Sequence, residues 1–110
     1  MTSRLDITSH TISRYKQRVK DDPHRHKRTA GQISRGINDA LDYVEDIASL
    51  PVCGEDYRIA EVRFRVRGSR TCPYFCILAR DRLNIKKWRV ITVLTQEMYE
   101  RGLTTQEISV

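Results

Sequence analysis

The hydrophobic period of this chain changes once, and the change divides it into a helical half and a strand half. Ile33, Ile37, Ala40, Leu41, Val44, Ile47 and Ala48 recur at three- and four-residue steps, which puts them on one face of a helix. Thr29 and Gln32 precede them at capping-box spacing, where a hydroxyl and a carboxamide satisfy the orphan amides of the first turn. Pro51 ends the helix, because proline has no amide to donate and forces its predecessor out of the helical region. From Tyr57 the period is two: Ala60, Val62, Phe64 and Val66 alternate with Glu61, Arg63, Arg65 and Arg67. That is the pattern of a half-buried strand.

The flanking segments extend both halves. Ile12, Tyr15 and Val19 predict a helix over 9–20, with Thr8 or Ser9 as N-cap and Pro23 as the stop. Asp21 to Arg28 has turn chemistry and no apolar residue, which predicts an exposed loop. Gly68-Ser69-Arg70 predicts a hairpin turn, and Pro73 marks a strand start. Thr71 to Arg80 and Trp88 to Leu94 are apolar on both sides and predict buried strands joined by the polar turn 81–84. Thr95 caps a last short helix over 96–101, with Gly102 as its left-handed terminator.

Two helices followed by strands with short turns predict an α+β fold: two N-terminal helices packed on an antiparallel three- to four-stranded meander, then a short C-terminal helix. A length of 110 residues suits a single domain with one core, with 1–6 and 103–110 as flexible tails. The second face of the sheet is left to solvent or ligand. Arg63, Arg65 and Arg67 are expected to project from that face or its rim, because residues two apart on a strand share a side.

No apolar run approaches the roughly 20 residues needed to cross a bilayer, and the first six residues lack the apolar stretch of a signal peptide. A cytoplasmic protein is expected, without membrane association, as a monomer or homodimer. Cys53, Cys72 and Cys76 are odd in number and follow no framework spacing, so they read as reduced thiols. On one strand, Cys72 and Cys76 would lie roughly 13 Å apart, beyond disulfide reach, and both read as core side chains.

The formal charge of +6 is unevenly placed. Arg63, Arg65, Arg67, Arg70, Lys87 and Arg89 lie in the C-terminal half, and Arg25, Lys27 and Arg28 in the loop after the first helix. Like charges at alternate strand positions repel unless an anion meets them. These nine residues are therefore the expected nucleic-acid contacts, with RNA the favoured polyanion. Asp39, Asp42, Glu45 and Asp46 collect on the second helix, as a solvated side or a surface for a protein partner. The five glycines are scattered, so no phosphate-cradling loop is present. His24 and His26 sit in a basic loop without the closed ligand set that zinc demands, so neither a metal nor a cofactor is expected.

His10, Arg14 and Arg18 recur every four residues on the first helix, which aligns them in one stripe. An imidazole can take or give a proton near neutral pH, and guanidinium forks hold phosphate oxygens. Those groups suffice to begin phosphodiester cleavage.

The opening ITSHTISRYKQRV, the segment ISRGINDALDYV and the late strand RVITVLT together resemble small phage and bacterial domains of the RelE and RegB type. These are metal-independent endoribonucleases related in fold to toxin components. The resemblance implies RNA cleavage by attack of the 2′-hydroxyl on the adjacent phosphate. His10 would act as general base or acid, Arg14 and Arg18 would hold the phosphate, and Thr92 would hydrogen-bond the substrate. The last strand lacks the His or Tyr of better-known toxins, which leaves Lys87, His24 or His26 as the second proton-transfer group. The alternative is a non-enzymatic nucleic-acid binder, or a phage-encoded inhibitor or regulator of a host nucleoprotein complex.

Overall fold

The computed structural model describes residues 5–84 and 87–104. Among these residues are three helices, α1 (Ser9–Arg18), α2 (Ala30–Ala40) and α3 (Gln96–Glu100). The strands are β1 (Asp6–Ile7), β2 (Val52–Gly54), β3 (Tyr57–Val62), β4 (Arg65–Val66), β5 (Ser69–Arg70), β6 (Tyr74–Arg80) and β7 (Trp88–Thr95). Five strands form a mixed sheet in the order β1-β7-β6-β3-β2, and β4 and β5 form a separate two-stranded hairpin. The architecture is α+β, as the change of period implies.

The meander of β2, β3, β6 and β7 is antiparallel, but β1 adds a parallel edge, with Asp6 opposite Arg89 and Ile7 opposite Val90. The expected N-terminal tail is thus partly a strand. Leu5 and Ile7 pack against the core, the Leu5 amide donates to Asn38 Oδ1 at 2.7 Å and Asn38 Nδ2 donates to the Leu5 carbonyl at 3.2 Å. Two apolar side chains and one asparagine clamp the chain between α2 and β7. At the other end, the Leu103 amide donates to the Met98 carbonyl at 3.1 Å; the rest of the expected tail, 105–110, lies outside the described residues.

The capping box at Thr29 and Gln32 forms as expected, but α2 ends at Ala40 rather than continuing to Ala48. Turns follow, then a 3₁₀ turn over Ile47–Ser49 whose first amides are capped by Asp46. Leu41 and Val44 are nonetheless buried, so the apolar spacing is satisfied without helix. Asp39, Asp42, Glu45 and Asp46 oppose the macrodipole of a longer helix, whose negative end they would crowd.

The expected strand over 57–67 also breaks. Its ladder with β6 ends at Val62 opposite Tyr74, and the Phe64 amide then donates to Thr71 Oγ1 at 3.1 Å while the Thr71 amide donates to the Phe64 carbonyl at 3.0 Å. The hairpin turn falls at Arg67-Gly68, with φ of 53° and 78°, one residue earlier than expected. Positive φ at both central residues is the type I′ geometry that matches the twist of paired strands.

One core lies between the helices and the sheet, where Tyr15, Val19, Ile33 and Ile37 meet Val62, Phe64, Cys76, Val90 and Val93. The opposite face is not an open cationic surface. It carries a second apolar cluster of Ile59, Phe75, Ile77 and Leu94, with Met98 of α3 packed on it and the Phe75 and Tyr99 rings stacked at 4.0 Å. The even positions Ala60 and Val62 serve the first core while the odd position Ile59 serves the second, as a strand covered on both faces requires. Cys76 is fully buried, and burial pushes its thiol up to about 12. Cys72 is exposed and precedes β6, so it is not the core residue that an apolar strand beginning at Thr71 implies. No helix among the described residues is long and apolar enough to cross a membrane.

Candidate nucleic-acid interface

Helix α1 lies against β7, and its attachment decides which side chains face outward. Buried Thr11 donates from Oγ1 to the Val90 carbonyl at 2.8 Å, and the Thr8 amide donates to the same carbonyl at 3.2 Å. With Thr11 and Tyr15 turned inward, the helical repeat leaves His10 and Arg14 outside. Arg14 Nε donates to His10 Nε2 at 3.2 Å, and Arg14 Nη1 donates to Gln17 Oε1 at 2.7 Å. A guanidinium offers only protons, so in this contact His10 is the acceptor, through Nε2. One turn further, Arg18 Nη1 donates to the Val93 carbonyl at 2.8 Å and lies 3.5 Å from Thr92 Oγ1. The four residues singled out on α1 and β7 thus form two contacting pairs, His10 with Arg14 on the outer side of α1 and, one turn on, Arg18 with Thr92 across the seam to β7. Thr92 is 1% exposed, so its hydroxyl does not face solvent directly but lies beneath Arg18. Gln17 and the Val93 carbonyl belong to this seam and escape sequence inspection, because a carbonyl contact carries no side-chain signature.

The loop after α1 is organised around a buried charge and is not wholly exposed. Asp22 is 0% exposed. It accepts from the Tyr15 hydroxyl at 2.8 Å, from Arg28 through Nε and Nη2, and from the His24 amide at 3.0 Å. Burial pushes its carboxyl up, but the hydrogen bonds from Arg28, Tyr15 and the His24 amide outweigh it and set the group below the usual carboxylate range. Arg25 donates to the carbonyls of Lys16 and Asp22 at 3.0 and 3.2 Å. Two of the three basic loop residues expected to contact nucleic acid, Arg25 and Arg28, are therefore engaged in holding the loop, while Lys27 is exposed. Asp22 followed by Pro23, with its carboxylate on the amide two residues on, is the available signal for such a turn.

The loop also touches the hairpin. Arg67 Nη2 lies 3.1 Å from His24 Nε2, and Asp21 accepts from the Cys72 thiol at 2.8 Å and the Cys72 amide at 3.2 Å. The thiol's hydrogen bond lowers the Asp21 carboxyl, and the same bond raises the thiol. Cys72 is thereby held protonated, the opposite of an activated nucleophile.

Arg63, Arg65 and Arg67 all point outward, but from the hairpin beyond β3 rather than along one strand. Arg63 Nη1 donates to the Thr71 carbonyl at 3.2 Å, and Arg65 stands directly opposite Arg70. Arg63, Arg65 and Arg70 line one wall of a groove of about 830 Å³, floored by Tyr15, Ile33, Val62 and Phe64. Asp39 and Asp42 enter the same groove from the α2 side, whereas Asp46 caps the 3₁₀ turn and Glu45 is exposed outside it. Neither His10, Arg14, Arg18 nor Thr92 lines this groove, so the structure separates the α1 seam from most of the arginine cluster. Lys87 pairs with Asp6 at 2.7 Å, which raises its ammonium, and Arg89 is exposed beside it on β7.

Among the described residues, no three His, Cys, Asp or Glu side chains converge as a metal site. Comparison of the chain with family models, with curated proteins and with solved structures finds no match.

Proposed function

We propose that this protein is a cytoplasmic endoribonuclease that binds RNA along the seam between α1 and β7 and cleaves it without a metal ion. The observation that carries this reading is the contact of Arg14 Nε with His10 Nε2, with Arg18 one turn further along the same helix. In the proposed reaction Arg14 and Arg18 hold the scissile phosphate. As Arg14 turns to the phosphate, His10 Nε2 is released to accept the proton of the 2′-hydroxyl. The 2′-oxygen forms its bond to phosphorus as the bond to the 5′-oxygen breaks, and that oxygen takes a proton from solvent. The products are a 2′,3′-cyclic phosphate and a 5′-hydroxyl. General base catalysis of this kind contributes about a hundredfold or more, and guanidiniums aimed at the developing charge stabilise it further.

Incubation of RNA with the protein in EDTA tests this directly. Cyclic-phosphate ends should appear, and His10→Ala should slow their formation at least about a hundredfold. Intact RNA, or a rate unchanged by the substitution, overturns the reading.

A second reading, a nucleic-acid binder without catalysis, is favoured by one observation. Among the described residues, the hydrogen-bond partner of His10 is an arginine, which does not release its proton. Salt-dependent RNA binding through Arg14 and Arg18 without cleavage distinguishes it.

A further inference from the structure

The groove between α2 and the arginine hairpin has opposite charges on its two walls. Arg65 and Arg70 are direct cross-strand partners, with Arg63 beside them. Like charges at opposed positions destabilise a strand pair unless an anion lies between them. Across the apolar floor stand Asp39 and Asp42. A strand of phosphates filling the whole groove would face these carboxylates, so its occupant is anionic at one end only.

Two features describe the middle of the occupant. Tyr43 is 61% exposed, yet its hydroxyl donates to the Glu61 carbonyl, which holds an aromatic ring in fixed position at the groove wall. Gly36 lies inside α2 and lines the groove, and a Cβ there would meet nothing within 4 Å. Glycine in a helix interior costs about 1 kcal/mol relative to alanine. No neighbouring atom demands it here, and its effect is to leave the wall open to close approach.

We infer that this groove binds one guanine nucleotide unit, with its phosphate between Arg65 and Arg70 and its base beside Tyr43, directed at the carboxylates. A guanine presents adjacent N1–H and N2–H donors that one carboxylate accepts together, whereas adenine offers a single amino group on that edge. The groove volume falls within the range of small-ligand sites. The phosphate contacts supply affinity, and the carboxylates supply the choice of base. This site is independent of the proposed cleavage seam, since none of the seam's residues enters it.

Titration with the four nucleoside 5′-monophosphates, and with single-stranded hexaribonucleotides containing or lacking guanine, tests the assignment by calorimetry and amide chemical shifts. Guanine-containing ligands should bind about tenfold more tightly than their counterparts, a difference typical of one bidentate base contact. Arg65→Ala and Arg70→Ala should each weaken all ligands, while Asp39→Asn should reduce the guanine preference. Gly36→Leu should block binding, with Gly36→Ala as a folded control. Binding of the free mononucleotide identifies a free-nucleotide site; binding in the hexamer alone identifies a base subsite for RNA; either upholds the inference. Absence of guanine preference in both forms overturns it, as does binding insensitive to Arg65→Ala and Arg70→Ala. So does binding of an unrelated peptide at this groove with no nucleotide response. RNA cleavage that depends on His10 can survive any of these failures, so the two assignments fail separately.

Discussion

The hydroxyl of Tyr15 donates to the carboxylate of Asp22 at 2.8 Å, and that carboxylate is wholly shielded from solvent. Seven residues apart, they join the inner face of α1 to the loop that follows it. Arg28 binds the same carboxylate, so removing Asp22 leaves a cation and a hydroxyl without their acceptor. Asp22→Ala should destabilise the fold by about 3 kcal/mol, and Tyr15→Phe by about 1 kcal/mol. Urea denaturation measures both; a loss below about 1 kcal/mol for Asp22→Ala would show that the loop is not organised by this charge.

The same carboxylate gives stability a pH dependence of known sign. Its folded value lies below the 3.8 of an unperturbed aspartate, the value it regains on unfolding, so its contribution is fully present above that value. It is lost as pH falls through the depressed folded value. Acid should therefore lower the melting temperature of the protein from about pH 4 downward, more steeply than it does for Asp22→Asn. Parallel acid melting curves for the two proteins would contradict this.

Basic residues that look alike in sequence should behave differently toward RNA. Arg14→Ala should leave the melting temperature nearly unchanged and reduce the salt slope of RNA binding by about 1. Arg28→Ala should instead lower the melting temperature, because its guanidinium is engaged with Asp22. Binding isotherms at several salt concentrations, read beside thermal melts, separate these two roles. A salt-slope change for Arg28→Ala with no change in melting would reverse the assignment.

Thr92 is a positioning residue by its geometry, since it is buried and lies against Arg18. Thr92→Val keeps the volume and removes the oxygen, so the fold should hold with a loss of about 1 kcal/mol. RNA cleavage should fall mainly in kcat, and Thr92→Ser should restore it. Equal loss in both variants would assign Thr92 to packing alone.

Arg67 adopts a left-handed backbone at φ 53°, which costs a side-chain-bearing residue about 1 kcal/mol. Arg67→Asn should relieve most of this and stabilise the hairpin by roughly 0.5 to 1 kcal/mol, despite losing the contact with His24. A lower melting temperature would mean that the Arg67–His24 contact outweighs the strain.

The periodic elements were legible in the chain because burial imposes its spacing directly: the capping box at Thr29, the α1 stripe, and β6 and β7 all follow from apolar positions. Interruptions were not. The apolar spacing from Ile33 to Val44 is kept by turns as well as by helix, so pattern alone could not place the end of α2 at Ala40. The pairing of β1 depends on a partner strand more than 80 residues away, and two residues carry no period. For the candidate site, α1 spacing places His10 beside Arg14, whereas Arg18 reaching the Val93 carbonyl depends on tertiary docking. The placing of Arg65 opposite Arg70 in a separate hairpin followed from the break after Val62, which an unbroken alternation conceals.

Arg18 and Thr92 are 74 residues apart, and β7, which carries Thr92, also holds α1 through the Val90 carbonyl. A ribosome adding 5–20 residues per second needs roughly 4 to 15 s to travel that distance. During that interval the emerging chain has made Arg18 but not the Val93 carbonyl and Thr92 hydroxyl on which it docks. The complete seam therefore assembles only after β7 has been synthesised, and the order of the codons delays by that interval any activity that needs Arg18 in place.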